Sequence, residues 1–199
     1  MKTYTIIRKP DPFSWEQVPA AEIDTVLWTE KTDIRACARV CYDENALYVR
    51  LEAKEQDIRA TEEGLLCSPC DDSCLEFFLS PEEGDKRYFN IEFNPLGSVY
   101  FGIATSIADL TRLIPESGHE FSPEVSYTED GWYVTYRIPA GLIRRFFPDF
   151  QLVSGKRLRG NFFKCGDRTV SPHFLSWNPV TSDKPDFHRS VDFGQLILK

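Results

Sequence analysis

Cys67, Cys70 and Cys74 form a Cys-x-x-Cys-x-x-x-Cys run, the spacing in this chain best suited to hold a soft metal. A zinc site would need a fourth ligand, from Cys37, Cys41 or a histidine, and no second Cys-x-x-Cys supplies a partner pair. A redox role of the thioredoxin type would need a βαβ context that the surrounding pattern lacks. The run therefore reads as buried or half-buried free thiols, and no metal is expected. Glu76 and Glu92 are a candidate carboxylate pair of the kind glycosidases use, although nothing in their spacing fixes the separation such chemistry needs. His119, His173 and His188 have no Gly-x-Ser-x-Gly partner, and the 11 glycines are scattered rather than gathered into a phosphate-cradling loop. Asp71 and Asp72 read as braces at the start of a strand. No Asp/Asn/Gly stretch resembles an EF-hand calcium loop, so calcium has no support in the sequence and no cofactor is expected. No catalytic constellation emerges, and the chain reads more readily as a binding protein than as an enzyme.

One segment looks built for binding. Residues 166–192 read as a long loop that mixes Asp167, Arg168, His173, Asn178 and His188 with Trp177. Long loops are uncommon in compact β domains without a purpose, and an aromatic ring among hydrogen-bonding groups suits a ligand surface.

The elements that would carry these residues are strands. Phe89, Ile91 and Phe93 alternate with Tyr88, Asn90, Glu92 and Asn94, and Trp132, Val134, Tyr136 and Ile138 alternate over 131–138. The same period runs through 34–42, 46–53, 73–80 and 159–164, and 98–105 reads as the return arm of a hairpin. Turns such as Pro81–Gly84, Pro95–Gly97 and Glu129–Gly131 punctuate them at intervals of roughly ten residues. One helix is expected, over 140–147, bracketed by Pro139 and Pro148. The pattern predicts an all-β chain of one domain, 1–199, folded as an antiparallel β-sandwich of immunoglobulin-like or jelly-roll-like kind. The polar face of 88–94 reads either as an ordinary solvated outer face or as the polar half of a site.

Composition narrows the partners. The 199 residues carry 23 Lys+Arg against 31 Asp+Glu, a net charge of −8, which offers no footprint for nucleic acid or an anionic membrane. Aromatics make up 14% against one methionine, which favours pleated, half-buried surfaces. The first residues hold no apolar stretch of signal-peptide type, and no segment approaches the roughly 20 apolar residues of a membrane helix. A cytoplasmic location with reduced thiols is the expectation.

Cys70-Asp71-Asp72-Ser73-Cys74-Leu75-Glu76-Phe77-Phe78-Leu79, the segment Tyr88–Gly97, Ser176-Trp177-Asn178-Pro179, Pro185-Asp186-Phe187-His188 and Phe193-Gly194-Gln195-Leu196 follow one another in an order similar to that of family 9 carbohydrate-binding modules and their DOMON-like relatives. The resemblance runs from about Ile34 to the C-terminus. It implies a β-sandwich that binds sugar without hydrolysing it, holding a ring on tryptophan and gripping its hydroxyls with polar side chains. Trp177 corresponds to one such tryptophan; the other position falls near Cys70, so a two-sided aromatic clamp is not matched. The implied carbohydrate site is Trp177 as platform, with Glu76, Asn90, Asn161, Lys164 and Arg168 as hydrogen-bonding groups. Trp15, Trp28 and Trp132 read as core or loop anchors. The alternatives are an enzyme or enzyme accessory acting on an intracellular sugar, and an interaction domain whose sugar site has decayed.

Overall fold

The computed structural model describes residues 1–30, 32–114 and 120–199; His119 lies outside them. The strands are β1 (Thr3–Arg8), β2 (Ala21–Ile23), β3 (Thr25–Val26), β4 (Arg35–Tyr42), β5 (Ala46–Lys54), β6 (Cys74–Ser80), β7 (Tyr88–Phe93), β8 (Val99–Ala104), β9 (Thr111–Arg112), β10 (Glu124–Tyr127), β11 (Gly131–Pro139), β12 (Arg157–Cys165), β13 (Phe174–Ser176) and β14 (Gly194–Leu198). The helix α1 spans Ala140–Arg144. Among the described residues no helix is long and apolar enough to cross a membrane.

The strands form one large curled sheet in the order β10-β11-β5-β4-β1-β14-β12-β6-β7-β8-β9. The strand β1, between β4 and β14, departs from the expected antiparallel pattern. Residues 3–6 of β1 pair in parallel with β14, and residues 7–8 pair in parallel with β4, so the sheet is mixed. A strand contributed by the start of the chain and zipped beside its last strand leaves no local turn signature, which is why the pattern of hairpins did not announce it.

Alternation of side chains holds where one face meets the core. In β4, β5 and β11 buried and half-buried positions interleave. Gly131 opens β11 directly against the carbonyl of Ala53, so close that no Cβ fits between the two strands. Tyr136 on β11 meets Phe93 on β7 across the core, ring centroids 4.7 Å apart, which brings the two halves of the curled sheet face to face, and Tyr4 meets Phe162 edge-on at 6.0 Å.

β6 and β7 are buried on both faces. Their outer side carries a second apolar cluster, in which Phe78, Tyr88, Phe163, Phe187 and Phe193 pack beneath the chain of 166–192. Phe187 stacks on Phe163 with centroids 4.1 Å apart. The face of Tyr88, Asn90, Glu92 and Asn94 is therefore covered, not an ordinary solvated face. The covering segment is less open than its composition suggests: it contains β13 and a 3-10 turn at Ser190–Asp192.

The helix is shorter than 140–147. Arg145 and Phe146 donate to the carbonyls of Leu142 and Ile143, i→i−3 bonds that tighten the last turn, and Pro148 disfavours helical geometry just before it. Phe147 still reaches the core against Phe89.

Candidate functional site

The outer faces of β6, β7 and β12 form the floor of a cleft of about 470 Å³. Its floor is Cys70, Glu76, Phe78, Glu92, Cys165 and Asp167. Trp28, Ile107, Phe174, Ser182 and residues 184–188 make its walls. That volume lies in the range of small-molecule sites, about 300–1,000 Å³.

Trp28 follows β3 with a φ of 51°, in the left-handed region that a bulky side chain adopts only when its surroundings over-determine it. Three bonds do so. Leu27 N donates to Phe174 O at 2.8 Å, Thr29 N donates to Leu27 O at 2.6 Å, and Trp28 Nε1 donates to Ser182 O at 2.7 Å. Phe174 and Phe187 back the indole at 5.7 and 5.4 Å. The ring is left half-buried on the cleft wall, an aromatic platform locked from behind.

The floor is acidic. Glu76 and Glu92 are direct cross-strand neighbours on β6 and β7. Asn90 Nδ2 donates to Glu92 Oε1 at 2.8 Å, and the Cys165 thiol donates to Glu76 Oε1 at 3.0 Å. Among the described residues, Glu92 Oε2 and Asn90 Oδ1 are buried without a hydrogen-bond partner. Such atoms are costly to leave unpaired, and a ligand's hydroxyl would satisfy them. Burial, then the charge of Glu92, drives the Glu76 carboxyl well above its ordinary value. Burial pushes Glu92 up to about 7, against the lowering effect of the Asn90 bond and Arg112. Burial and then Asp71 raise Asp167. A protonated carboxyl donates as well as accepts, so it can pair with either end of a hydroxyl. His188, pushed down to about 4 by burial, is neutral, with Nδ1 2.9 Å from the Tyr88 hydroxyl.

An aromatic wall over a floor of carboxyls is a sugar-site chemistry, and the sequence carries the matching lineage. The profile of carbohydrate-binding family 9 matches residues 8–198. The chain belongs to carbohydrate-binding family 9. A search of curated protein sequences gives no match. Among solved structures, this family 9 chain is similar to a Bacteroides uniformis protein described as a candidate carbohydrate-binding protein, with 26% identity, TM-score 0.85, and coverage of 100% of this chain and 99% of that one. Two structures of a family 9 carbohydrate-binding module from Caldicellulosiruptor kristjanssonii share its fold. The one in complex with cellotriose has 16% identity and TM-score 0.71, covering 100% and 94% of the two chains. The one in complex with glucose has 15% identity and TM-score 0.71, covering 100% and 96%.

Of the residues that the sequence proposes for the family 9 site, Glu76 lines the cleft and Asn90 sits behind it, bonded to Glu92. The other four stand elsewhere. Trp177 is 4% exposed and packs edge-on against Phe162 and Tyr4, with its six-membered ring pressed on Gly194, so it has no face to offer a ligand. Asn161 spends its amide on Asn178, donating to its carbonyl at 2.9 Å and accepting from its N–H at 2.8 Å, and so clamps the segment after β13. Arg168 is exposed, 3.3 Å from Asp71 and away from the cleft lining. Lys164 is fully buried on the opposite face of β12 from Glu76's partner Phe163. There its ammonium meets Glu55 Oε1 at 3.1 Å, His173 Nε2 at 2.7 Å and Cys165 O at 2.8 Å.

Sequence alone does not single out Trp28 or Phe187 for the site, and it places Glu92 and Asp167 only on a polar face and in a polar loop. Trp28 carries no signal in its neighbours: its partners Phe174, Ser182 and Phe187 lie some 150 residues along the chain. Period two did place Glu92 on the polar face beside Asn90, a detectable sign once that face is known to be covered.

Proposed function

We propose that the cleft binds carbohydrate non-covalently, with Trp28 as the stacking platform and Glu76, Glu92 and Asp167 engaging hydroxyls. The observation that carries this reading is the strained, half-buried Trp28 facing a floor where Glu92 Oε2 is buried and unpartnered. A pyranose has an apolar C–H face for the indole and a hydroxyl rim for the carboxyls. The family 9 membership and the sugar complexes of the Caldicellulosiruptor kristjanssonii module support the ligand class. We read the curled sheet as a sandwich of jelly-roll or immunoglobulin-like kind, whose role is to hold this floor rigid. With a net charge of −8, nucleic acid and anionic membrane are poor competitors for the site.

Isothermal calorimetry against glucose, cello-oligosaccharides and a wider sugar panel tests the reading. Trp28→Ala is expected to weaken binding at least about tenfold, the equivalent of about 1.4 kcal/mol, with the fold intact by circular dichroism. Sugar binding unchanged in Trp28→Ala, or no heat with any sugar, sinks the reading. Release of new reducing ends that Glu76→Gln abolishes would replace binding with hydrolysis.

A further inference from the structure

The cleft floor holds a second chemistry, which shares Glu76 with the proposed sugar site. Cys74 and Cys165 are cross-strand partners on β6 and β12, and Glu76 lies two residues along β6 on the same face. Their three ligand atoms, two sulfurs and one carboxylate oxygen, lie within 4.8 Å of one another, and all three residues are buried. Cys165 Sγ already sits 3.0 Å from Glu76 Oε1. We propose that Cys74, Cys165 and Glu76 bind one thiophilic divalent cation of the zinc class.

Several features converge on that assignment. The ligands stand on two adjacent strands in the middle of the sheet, so their spacing is set by backbone pairing rather than by loop conformation. Two sulfurs and an oxygen form a soft, borderline set that suits zinc over calcium or magnesium, which prefer oxygen alone. Glu76 and Cys165 line the cleft, which gives an entry path and leaves a fourth, cleft-side position in a tetrahedral arrangement. The neighbouring Glu92 keeps a buried, unpartnered oxygen facing the same space, and among the described residues neither Glu76 nor Glu92 has an ion-pair partner. A cation relieves that uncompensated polarity. On binding, two metal–sulfur bonds form as the Cys74 and Cys165 thiols release their protons to solvent, and Glu76 contributes its carboxylate, with loss of its own proton where it holds one.

This is a different site from the one the Cys67-x-x-Cys70-x-x-x-Cys74 run suggests. Cys67 stands outside the cluster, its carbonyl taken by Arg112 at 2.6 Å. The cluster unites residues 91 positions apart in sequence and is visible only once β12 is laid beside β6.

The test is Co²⁺ titration of the full chain, with a thiol reductant present so that Cys74 and Cys165 stay reduced. The expected result is a saturable thiolate-to-cobalt charge-transfer absorption with visible bands of tetrahedral intensity, one ion per chain, abolished by equimolar Zn²⁺. Cys165→Ser and Glu76→Gln are each expected to weaken binding by more than about 100-fold, since outer-shell changes alone cost about 10–100-fold. Cys67→Ser is expected to leave it unchanged. Absence of the thiolate band in the wild-type protein overturns the proposal. So does a band that survives in Cys165→Ser, or one lost in Cys67→Ser. If Cys165→Ser does not fold, Glu76→Gln with the wild-type spectrum decides: a Co²⁺ affinity unchanged by Glu76→Gln refutes the three-ligand site.

Discussion

Lys164 lies at the heart of the sharpest disagreement between sequence pattern and structure, and replacing it with Met separates the two readings. Its ammonium has three N–H donors and uses all of them, on Cys165 O at 2.8 Å, His173 Nε2 at 2.7 Å and Glu55 Oε1 at 3.1 Å. Glu55 is equally engaged: Trp132 Nε1 donates to its Oε1 at 2.6 Å and Ser73 Oγ to its Oε2 at 3.0 Å. His173, pushed down to about 4 by burial and then by Lys164, is neutral; Nδ1–H is assigned to the carbonyl of Ser171 at 2.8 Å, leaving Nε2 to accept. Both members of the ion pair are almost wholly removed from water. Met fills the same volume but leaves the buried Glu55 carboxylate without its cation. Removing one partner of such a pair costs about 3–5 kcal/mol. Urea denaturation followed by far-ultraviolet circular dichroism measures this without relying on Trp132, whose fluorescence the change would alter directly. The double variant Lys164→Met/Glu55→Gln removes the orphaned charge while keeping an oxygen for Trp132, and is expected to be more stable than Lys164→Met alone. Sugar affinity of the folded fraction is expected to stay at the wild-type level. A Lys164→Met protein within about 1 kcal/mol of wild type would refute the buried-pair reasoning. So would one that loses sugar affinity while keeping its stability, because that result puts Lys164 in the cleft.

The Glu92 carboxyl, raised from 4.5 to about 7, favours the protonated folded state; the unfolded chain releases that proton first as pH rises, so stability falls between pH 4.5 and 7. At about 1.4 kcal/mol per pH unit, the wild type is expected to lose about 3 kcal/mol relative to Glu92→Gln across that interval, measured with chelator present; parallel pH–stability curves for the two proteins would rule out a desolvated carboxyl. Trp177→Ala should cost about 3–5 kcal/mol in denaturation and leave calorimetric sugar binding unchanged, the reverse of Trp28→Ala. Gly131→Ala drives a Cβ into the carbonyl of Ala53 and should destabilise the β5–β11 pairing by about 3 kcal/mol, read as a lowered thermal midpoint; an unshifted midpoint would mean that the two strands separate at no cost.

Much of the fold was legible because the informative signals were local. The strands at 46–53, 73–80, 88–94 and 131–138 emerge within a residue or two of β5, β6, β7 and β11, since each carries its core contacts at every second position. Trp132 falls in the core as its phase with Val134 and Tyr136 implies. What escaped depends on contacts between distant segments. Asn90 and Glu92 look like wet-face residues until the chain of 166–192 is folded over them, and that cover is built from Phe187 and Phe193, not from anything near residue 90. Trp28 and Trp177 are indistinguishable by composition. One docks on Tyr4 and Phe162 inside the core, and the other is pinned by Ser182 at the cleft wall. Lys164, expected among the sugar-binding groups, shares the core-facing side of β12 with Phe162, where an amine makes sense only beside Glu55 and His173, 109 positions upstream and 9 downstream.

The parallel seam between β1 and β14 bears on how the molecule responds to pulling. Thr3 lies beside Gln195 and Ile6 beside Leu198, so tension drawn outward through Thr3 and Leu198 slides the two strands past each other along their length. In that direction the bonds of the seam, together with Gln195 N to Lys2 O and Lys199 N to Ile6 O, are loaded simultaneously rather than peeled one after another. The seam is a shear clamp, and it braces the strands that carry the cleft floor against mechanical load.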